Sequence, residues 1–205
     1  EPIDAVRVIA NRSSGKQGAA IAEVAHQRGA HVTLITTADR PVSSGISVVQ
    51  VETAQQMLEA VSSVASQADV VVMSAAVADF RPVVSVENKI KKDAGIPSIV
   101  LEPTPDILAN LGKTKPTHQV LVGFAAETDN LVDNAQSKLQ RKNLDIIVAN
   151  DVSAPGVGFG HDTNAVSILT ADGEISEVAL ADKHAVARAV LDSVVKVRSA
   201  QRPPK

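Results

Sequence analysis

Short apolar runs alternate along the chain with stretches in which apolar residues recur every three to four positions, a pattern typical of strands alternating with amphipathic helices. The predicted strands are His31–Thr37, Ser47–Val51, Asp69–Ala76, Ile99–Leu101, Gln119–Phe124 and Leu144–Ala149. The predicted helices are Ala19–Arg28, Thr53–Ser66, Pro105–Leu111, Asn130–Lys142 and Asp182–Val197. Thr53 and Gln56 have the spacing of a capping box at the start of the second helix.

Strands that alternate with helices form a parallel sheet with right-handed crossovers. The sequence therefore predicts a Rossmann-like, doubly wound α/β fold whose sheet is mainly parallel. Ala165–Thr170 and Ile175–Leu180, joined by a four-residue turn, predict a C-terminal β-hairpin appendage. We expect a single nucleotide-binding domain over residues 1–198 and a frayed tail over 199–205. The run Asp69–Ala76 is expected to be buried on both faces of the sheet.

The composition of the chain excludes several classes of function. The chain has 205 residues, 44% of them hydrophobic, which is enough for one sizeable core. Its net charge of -3 and its three Phe residues, without Tyr or Trp, argue against a nucleic-acid partner. The absence of cysteine excludes disulfides and thiolate chemistry within this sequence. With no candidate signal peptide or membrane span, a cytoplasmic location away from membranes is expected. The chain begins at Glu1 without Met, so we expect a piece of a longer protein.

Four polar or small-residue segments follow predicted strands or lie at their ends. In doubly wound sheets, ligands bind outside the carboxyl ends of the strands, so these segments are expected to meet at one site. They are Asn11–Gly18, Ser74–Asp79, Gly123–Thr128 and Ala149–Asp151.

The first of these segments resembles a phosphate-binding loop, because its small residues expose backbone N–H groups ahead of a helix N-terminus. It is not a Walker A motif, since Gln17 stands where Ser or Thr would hold magnesium, and it lacks the GxGxxG spacing of nicotinamide-binding loops. The alternative is an ordinary glycine-rich turn with a solvated Lys16.

Charged residues near the other segments also allow two interpretations. Asp79 either holds a metal that bridges phosphate oxygens or merely caps a helix. Lys138 and Lys142 lie one turn apart and repel each other unless an anion lies between them; the alternative is that both point to water. The polar stretch Asp79–Pro97, long for a loop, carries Lys89, Lys91 and Lys92, which are either functional or a solvated charge run. The five histidines lack metal-ligand spacing and are interpreted as structural.

Taken together, eight phrases closely resemble the bacterial phosphopantothenate–cysteine ligase (phosphopantothenoylcysteine synthetase) family, in its order and spacing over nearly the whole chain. The phrases are Glu1–Asp4, Asn11–Gly18, Ser74–Phe80, Lys89–Lys92, Pro105–Leu108, Gly123–Thr128, Lys142–Asp145 and Ala149–Asp151. The resemblance implies a two-step ligation in coenzyme A biosynthesis. The carboxylate of 4′-phosphopantothenate attacks the α-phosphate of CTP, with Mg²⁺ or Mn²⁺ as the metal, and cysteine then displaces CMP.

The resemblance also implies roles for individual residues. Asn11 matches the family asparagine that handles the acyl intermediate, Ala76 is expected against phosphopantothenate, and Lys89 matches a flap lysine of the second half-reaction. Asp79 is the candidate metal ligand. The positions expected to contact CTP are Ser13, Ser14, Gly15, Lys16, Met73, Ser74, Ala75, Asp79, Lys89, Pro105, Asp106, Ile107, Leu108, Phe124, Lys138 and Lys142.

The family works as a homodimer in which a flap closes over the neighbouring site, and in many bacteria it is the C-terminal half of a protein whose N-terminal half is a flavin-dependent decarboxylase. Family members carry a strand and a Gly-rich turn ahead of the Glu1–Asp4 phrase, so we expect one strand of the sheet to be missing from this sequence. The alternatives to the ligase are a nicotinamide-dependent Rossmann reductase and a non-catalytic nucleotide-binding module.

Overall fold

The structure is a computed structural model that describes residues 1–91, 95–127, 130–151 and 160–201. Its strands are β1 Thr33–Thr36, β2 Ser47–Gln50, β3 Val70–Met73, β4 Phe80–Pro82, β5 Leu101–Pro103, β6 Val120–Glu127, β7 Ile146–Asp151, β8 Thr163–Thr170 and β9 Ile175–Asp182. Its helices are α1 Lys16–Gln27, α2 Ala54–Ala65, α3 Ile107–Thr114, α4 Leu131–Arg141 and α5 Lys183–Gln201. Within these ranges no helix is long and apolar enough to span a membrane.

The main sheet has five strands in the order β3-β6-β7-β8-β9. β3, β6 and β7 run parallel, and β8 and β9 add to them in antiparallel fashion. This arrangement confirms the predicted α/β fold with a mainly parallel sheet. The C-terminal hairpin is also present, but it is not a separate appendage: β8 pairs with β7 from Ile146↔Thr170 to Ala149↔Ser167 and so extends the main sheet.

Both faces of this sheet are covered, as the continuous apolar strands require. Alternate residues of β6 point to opposite sides: Val120 and Val122 pack in a cluster with α5, whereas Leu121 packs in a cluster with α2, α3 and α4. All three residues are fully buried. α1 joins the first side, where its Ile21 and Val24 pack against Leu191 of α5. The N-termini of α1 and α5 are thereby brought to the same region of the molecule.

Two further strand pairs lie outside the main sheet. β1 and β2 form a parallel pair, β4 and β5 an antiparallel pair, and within the described ranges neither joins the main sheet. The stretch predicted to be one long loop therefore contains a strand, because Phe80 to Pro82 finds a partner in Leu101 to Pro103.

Most of the observed element boundaries lie within three residues of the predicted ones. The capping box of α2 is confirmed, since Thr53 accepts from the Gln56 backbone N–H while the Gln56 side chain accepts from that of Thr53. β3 packs on both faces as predicted, with Val71 and Met73 on one side and Val70 and Val72 on the other, but it is only half-buried because it is the edge strand of the main sheet. α5 continues to Gln201, three residues into the predicted tail. Residues 202–205 of that tail lie outside the described residues.

Candidate functional site

A cavity of about 530 Å³ lies where the carboxyl ends of β3, β6 and β7 meet the start of α1. Ligand pockets of this size accept molecules as large as a nucleotide. Its lining contains every predicted contact residue except Lys89: Asn11, Ser13, Ser14, Gly15, Lys16, Met73, Ser74, Ala75, Ala76, Asp79, Pro105, Asp106, Ile107, Leu108, Phe124, Lys138 and Lys142. Segments far apart in the sequence are thus brought together, as the topology predicted.

The glycine-rich loop delivers the N-terminus of α1 to the cavity. Gly15 is the N-cap residue with φ of 68°, a left-handed conformation that favours glycine, and a Cβ there would lie 2.6 Å from Cβ of Ala38. In the described part of the chain no side chain caps this helix, and its first turn contains Lys16 but no acidic residue. Exposed backbone N–H groups at a helix N-terminus bind anions, so the loop geometry suits phosphate.

Lys16 is held at the rim of the cavity by an acidic partner. Its Nζ lies 2.5 Å from Oδ1 of Asp162. The hydrogen bond from Lys16 and its positive charge lower the pKa of Asp162, against the opposing effect of burial. Asp162 is largely exposed, so this ion pair exchanges readily for another anion close to Lys16.

Asn11 connects the glycine-rich loop to the small-residue segment after β3. Its Nδ2 donates to the backbone oxygens of Val77, at 3.0 Å, and Ala76, at 3.4 Å. The side chain is therefore fixed beside Ala76, the residue expected against phosphopantothenate. Both donor contacts are to backbone carbonyls, so donation to an intermediate requires exchange of one of them.

Asp79 lies at the exposed rim of the cavity, where its backbone is fastened to the strand preceding α3. Thr104 donates its N–H to the Asp79 carbonyl, at 3.0 Å, and its hydroxyl to the Ala78 carbonyl. Across the described ranges no three His, Asp or Glu side chains gather into a metal-binding group. A metal held here would therefore take one carboxylate from Asp79 and its remaining oxygens from phosphate and water, which fits Mg²⁺.

Asp106 and Lys142 form an ion pair on the opposite wall. Lys142 Nζ lies 2.9 Å from Oδ2 of Asp106, and Oδ1 of Asp106 accepts from the Ala109 backbone N–H at 2.9 Å, which caps α3. Partial burial raises the pKa of Asp106, but the Ala109 hydrogen bond and Lys142 outweigh it and hold that pKa below its usual range. Lys138 also lines the cavity from the same helical face. Asp106 thus already relieves part of the repulsion between the two lysines.

The apolar wall beside this pair comes from α3 and β6. Ile107 is buried, Leu108 and Phe124 are half-buried, and all three line the cavity. Gly123 permits this close packing, since a Cβ there would lie 2.8 Å from side-chain carbons of Leu108 and Leu144. Such a wall can hold a flat, weakly polar ring, and polar groups at its edge then determine which ring is bound.

Lys89 is exposed and does not line the cavity. Its neighbour Ile90 is fastened to the N-terminal segment, because Asp4 accepts from the Ile90 N–H at 3.1 Å and Arg7 donates to the Ile90 carbonyl at 3.1 Å. Lys89 is therefore carried by an anchored backbone outside the cavity, and its role stays a prediction. Of the other residues in the predicted segments, Lys92 and Thr128 lie outside the described residues, as do the side chains of Glu127 and Asp151.

Sequence reasoning missed three polar residues that line the cavity: Thr104, Asn164 and Lys183. Asn164 and Lys183 are buried, with 5% and 7% of their surfaces exposed. They belong to the hairpin and to the start of α5, which the strand-end rule for parallel sheets did not include. A Lys at the start of a predicted helix that follows a predicted strand is a signal that could have indicated Lys183, whereas no comparable signal marks Asn164.

The sequence profile of the DNA/pantothenate metabolism flavoprotein C-terminal domain family matches residues 1–197. The coenzyme A biosynthesis bifunctional protein CoaBC of Bacillus subtilis is 46% identical over 198 residues, which cover 95% of this chain and 48% of that protein. A cysteine/cysteine sulfinic acid decarboxylase from an unknown prokaryotic organism is 45% identical over 95% of this chain and 55% of its own length.

The fold has a counterpart of known structure. The crystal structure of the C-terminal domain of a CoaBC protein superimposes with a TM-score of 0.80 at 42% identity, over 95% of this chain and 88% of that one. The chain thus spans nearly all of that isolated domain but only about half the length of the curated relatives it matches.

Proposed function

Because the chain belongs to the DNA/pantothenate metabolism flavoprotein C-terminal domain family, we propose that it joins 4′-phosphopantothenate to L-cysteine in coenzyme A biosynthesis. The proposed energy source is CTP. The names of the CoaBC relatives support the pathway, and the cavity described above supports the chemistry. The reaction consumes a nucleoside triphosphate, which makes the cytoplasm its expected compartment.

The proposed reaction has two steps. A carboxylate oxygen of phosphopantothenate attacks the α-phosphorus of CTP, the bond from that phosphorus to the bridging oxygen breaks, and pyrophosphate leaves. The amine of cysteine then attacks the acyl carbon, the bond from that carbon to the phosphate oxygen breaks, and CMP leaves while the nitrogen loses a proton. The products are 4′-phosphopantothenoylcysteine, CMP and pyrophosphate.

The observation that carries the proposal is the convergence of anion-binding groups on one cavity. A carboxylate that attacks a triphosphate faces electrostatic repulsion, and enzymes overcome it with fixed cations and backbone dipoles. The cavity offers the N-terminus of α1 together with Lys16, Lys138 and Lys142. These fixed positive charges reduce the electrostatic repulsion between the carboxylate and the triphosphate before the two react.

The remaining contacts divide the cavity between the two substrates. Ser13, Ser14 and Lys16 are proposed to hold the triphosphate, while Asn11 and Ala76 hold the acyl substrate beside it. Mg²⁺ or Mn²⁺ on Asp79 would supply further neutralisation of the phosphate oxygens. The apolar wall of Ile107, Leu108 and Phe124 is proposed to hold the cytosine, with the Asp106–Lys142 pair at its edge.

We also propose that the protein is a homodimer, joined through the arm formed by β4, β5 and the residues beside them. The arm exposes apolar side chains that water would otherwise surround: Phe80 at 53%, Val83 at 51%, Val84 at 70%, Val100 at 66% and Leu101 at 46%. Exposed apolar patches of this kind mark association surfaces. In such a dimer Lys89, which follows β4 in the sequence, is proposed to close over a cavity. In the whole protein, a flavin-dependent decarboxylase half is proposed to precede this domain.

The decisive test is pyrophosphate release by the full-length protein with phosphopantothenate, comparing CTP with ATP and omitting cysteine in one arm. The expected result is release that requires phosphopantothenate, prefers CTP and yields an amide only when cysteine is present. Binding of CTP without pyrophosphate release would instead favour a non-catalytic nucleotide module.

The decarboxylase relative supplies a second arm for the same test. Release of CO₂ from cysteine in the absence of CTP, lost when residues 1–201 are removed, would assign decarboxylation to this domain and contradict the ligase. If the protein releases pyrophosphate and its CO₂ production is unchanged by removal of residues 1–201, decarboxylation takes place outside this domain.

A further inference from the structure

Three polar residues that line the cavity are Gln17, Asn164 and Lys183, here called the inner cluster. Lys183 is only 7% exposed and Asn164 only 5%. Buried titratable groups in a ligand cavity cluster at functional sites. The ligase proposal gives neither Lys183 nor Asn164 a role.

The fold directs these side chains to one place. Asn164 pairs with Ala181 in the β8–β9 ladder, two residues before Lys183 begins α5. The ladder shifts register between Asn164 and Val166, and such irregularities redirect side chains beside functional sites. Gln17, in the first turn of α1, donates from Nε2 to the carbonyl oxygen of Lys183 at 3.1 Å. This bond joins the N-terminus of α1 to that of α5.

Two buried oxygens of the cluster have no hydrogen-bond partner among the described residues: Oε1 of Gln17 and Oδ1 of Asn164. Buried amide oxygens are almost always satisfied, and an exception in a cavity indicates a ligand group or water that completes it. The amide of Asn164 presents an oxygen on one side and an NH₂ on the other, and a half-turn about its last bond exchanges them. A phosphate dianion carries no donor hydrogen and so does not complete these two oxygens; after that half-turn, however, the Asn164 amide meets a phosphate oxygen with its NH₂.

The electrostatics of the inner cluster favour an anion. Burial and the nearby charge of Lys16 lower the pKa of Lys183, and Asp162 partly opposes them. An anion between Lys16 and Lys183 would relieve the repulsion between the two ammonium groups. The N-termini of α1 and α5 both contribute partial positive charge at the same place.

From these observations we propose that the inner cluster is a phosphoryl-binding subsite, in which Lys183 Nζ and the Asn164 amide donate to the oxygens of a phosphate dianion. This inference rests on the proposed ligase function. That reaction offers two sources of the group: the terminal phosphates of the nucleotide, which leave as pyrophosphate, and the phosphomonoester of phosphopantothenate.

Three variants of the full-length protein test the subsite. Lys183→Met removes the charge while keeping the length of the side chain, and Asn164→Asp places a carboxylate against the phosphate. Lys196→Met is the matched control, because Lys196 lies exposed on the same helix in an ion pair with Glu174. Calorimetry with inorganic pyrophosphate is expected to show affinity about 10- to 100-fold weaker for the first two variants, as the loss of a charge-assisted hydrogen bond implies, and unchanged for the control.

Steady-state kinetics then separate the two sources. A rise in KM for CTP with CMP binding unchanged assigns the subsite to the terminal phosphates. A rise in KM for phosphopantothenate, absent when pantothenate is the substrate, assigns it to the phosphomonoester. Circular dichroism checks that each variant is folded, and if Lys183→Met is not, Asn164→Asp decides.

The subsite is overturned, even if the protein is a ligase, when Asn164→Asp leaves both the pyrophosphate affinity and the KM values unchanged. In that outcome Lys183→Met is either likewise unchanged or unfolded. Conversely, a protein that ligates nothing but whose pyrophosphate binding depends on Lys183 would contradict the ligase and retain the subsite.

Discussion

At the scale of single residues, Asp4 joins the N-terminal segment to the segment that carries Lys89. Its buried carboxylate accepts hydrogen bonds from the backbone N–H groups of Val6, Arg7 and Ile90 and from the Arg7 guanidinium. The Arg7 hydrogen bond, against the effect of burial and with help from those N–H groups, holds the pKa of Asp4 well below its usual range. Ile90 is thus fixed through its backbone, which leaves the side chain of Lys89 free to act.

The first prediction concerns Lys89 itself. Lys89→Gln is expected to spare pyrophosphate formation and to lower the rate of amide formation by about 10-fold or more, because the charge is proposed to act after the acyl-cytidylate has formed. Both products should be measured in single-turnover reactions. Lys91→Gln, a neighbouring exposed lysine, is the control. Equal loss of both steps in Lys89→Gln would remove its assignment to the second step.

The second prediction concerns Asp4. Because its folded pKa is depressed, Asp4 stabilises the native state above the ordinary aspartate pKa of 3.8, and this contribution disappears only as the pH falls through the lower, folded value. Asp4→Asn is therefore expected to be less stable than the wild type at pH 7, and the difference should narrow below about pH 4. Denaturant unfolding from pH 7 to pH 3 measures it. A difference that grows on acidification would contradict the assigned pKa direction.

At the scale of elements, α3 and α4 are fitted together through a glycine. Gly112 lies inside α3, where a Cβ would stand 1.8 Å from the carbonyl oxygen of Lys142 at the end of α4. Asn143 adopts φ of 51° directly after that helix and donates from Nδ2 to the Gly112 carbonyl at 2.8 Å. This contact sets the position of Lys142 on the cavity wall.

The third prediction follows from that contact. Gly112→Ala is expected to lower the free energy of unfolding by about 2 kcal/mol or more, since overpacking against backbone outweighs the gain in helix propensity. It is also expected to weaken CTP binding through displacement of Lys142. Gly160→Ala, where a Cβ would meet no atom within 4 Å, is the stability control. A Gly112→Ala variant with a higher free energy of unfolding than the wild type would show that α3 and α4 can move apart without loss of stability.

Elements of this fold differ in how well the sequence predicts them, for physical reasons. α2 was predictable because Thr53 and Gln56 form a local capping box next to a strong apolar period. β4 was not, because Phe80 to Pro82 becomes a strand only through its partner Leu101 to Pro103, about twenty residues later. The strand-end rule brought most of the candidate site together. Asn164 and Lys183 escaped it because their burial depends on the register of β8 against β9.

At the scale of the whole molecule, the arm that includes β4 and β5 is the clearest candidate for association. The fourth prediction is that Val100→Glu converts the proposed dimer into a monomer, because it places a charge among exposed apolar side chains that the partner would cover. Light scattering of the protein as it elutes from a size-exclusion column measures its molar mass. Val195→Glu on α5, where Val195 is 58% exposed, is the control. A wild-type monomer, or a dimer that persists in Val100→Glu, would contradict the assigned surface.

The packing of α1 on α5 has a consequence for protein synthesis. The two helices stand far apart in the sequence, yet their N-termini complete the same cavity. A nascent chain still attached to the ribosome at α5 therefore exposes its glycine-rich loop without Lys183 and without the helix that α1 packs against. If the proposed function holds, nucleotide binding is expected only after translation has passed α5, because a chain that ends before Lys183 lacks both the helix that α1 packs against and one of the residues that line the cavity.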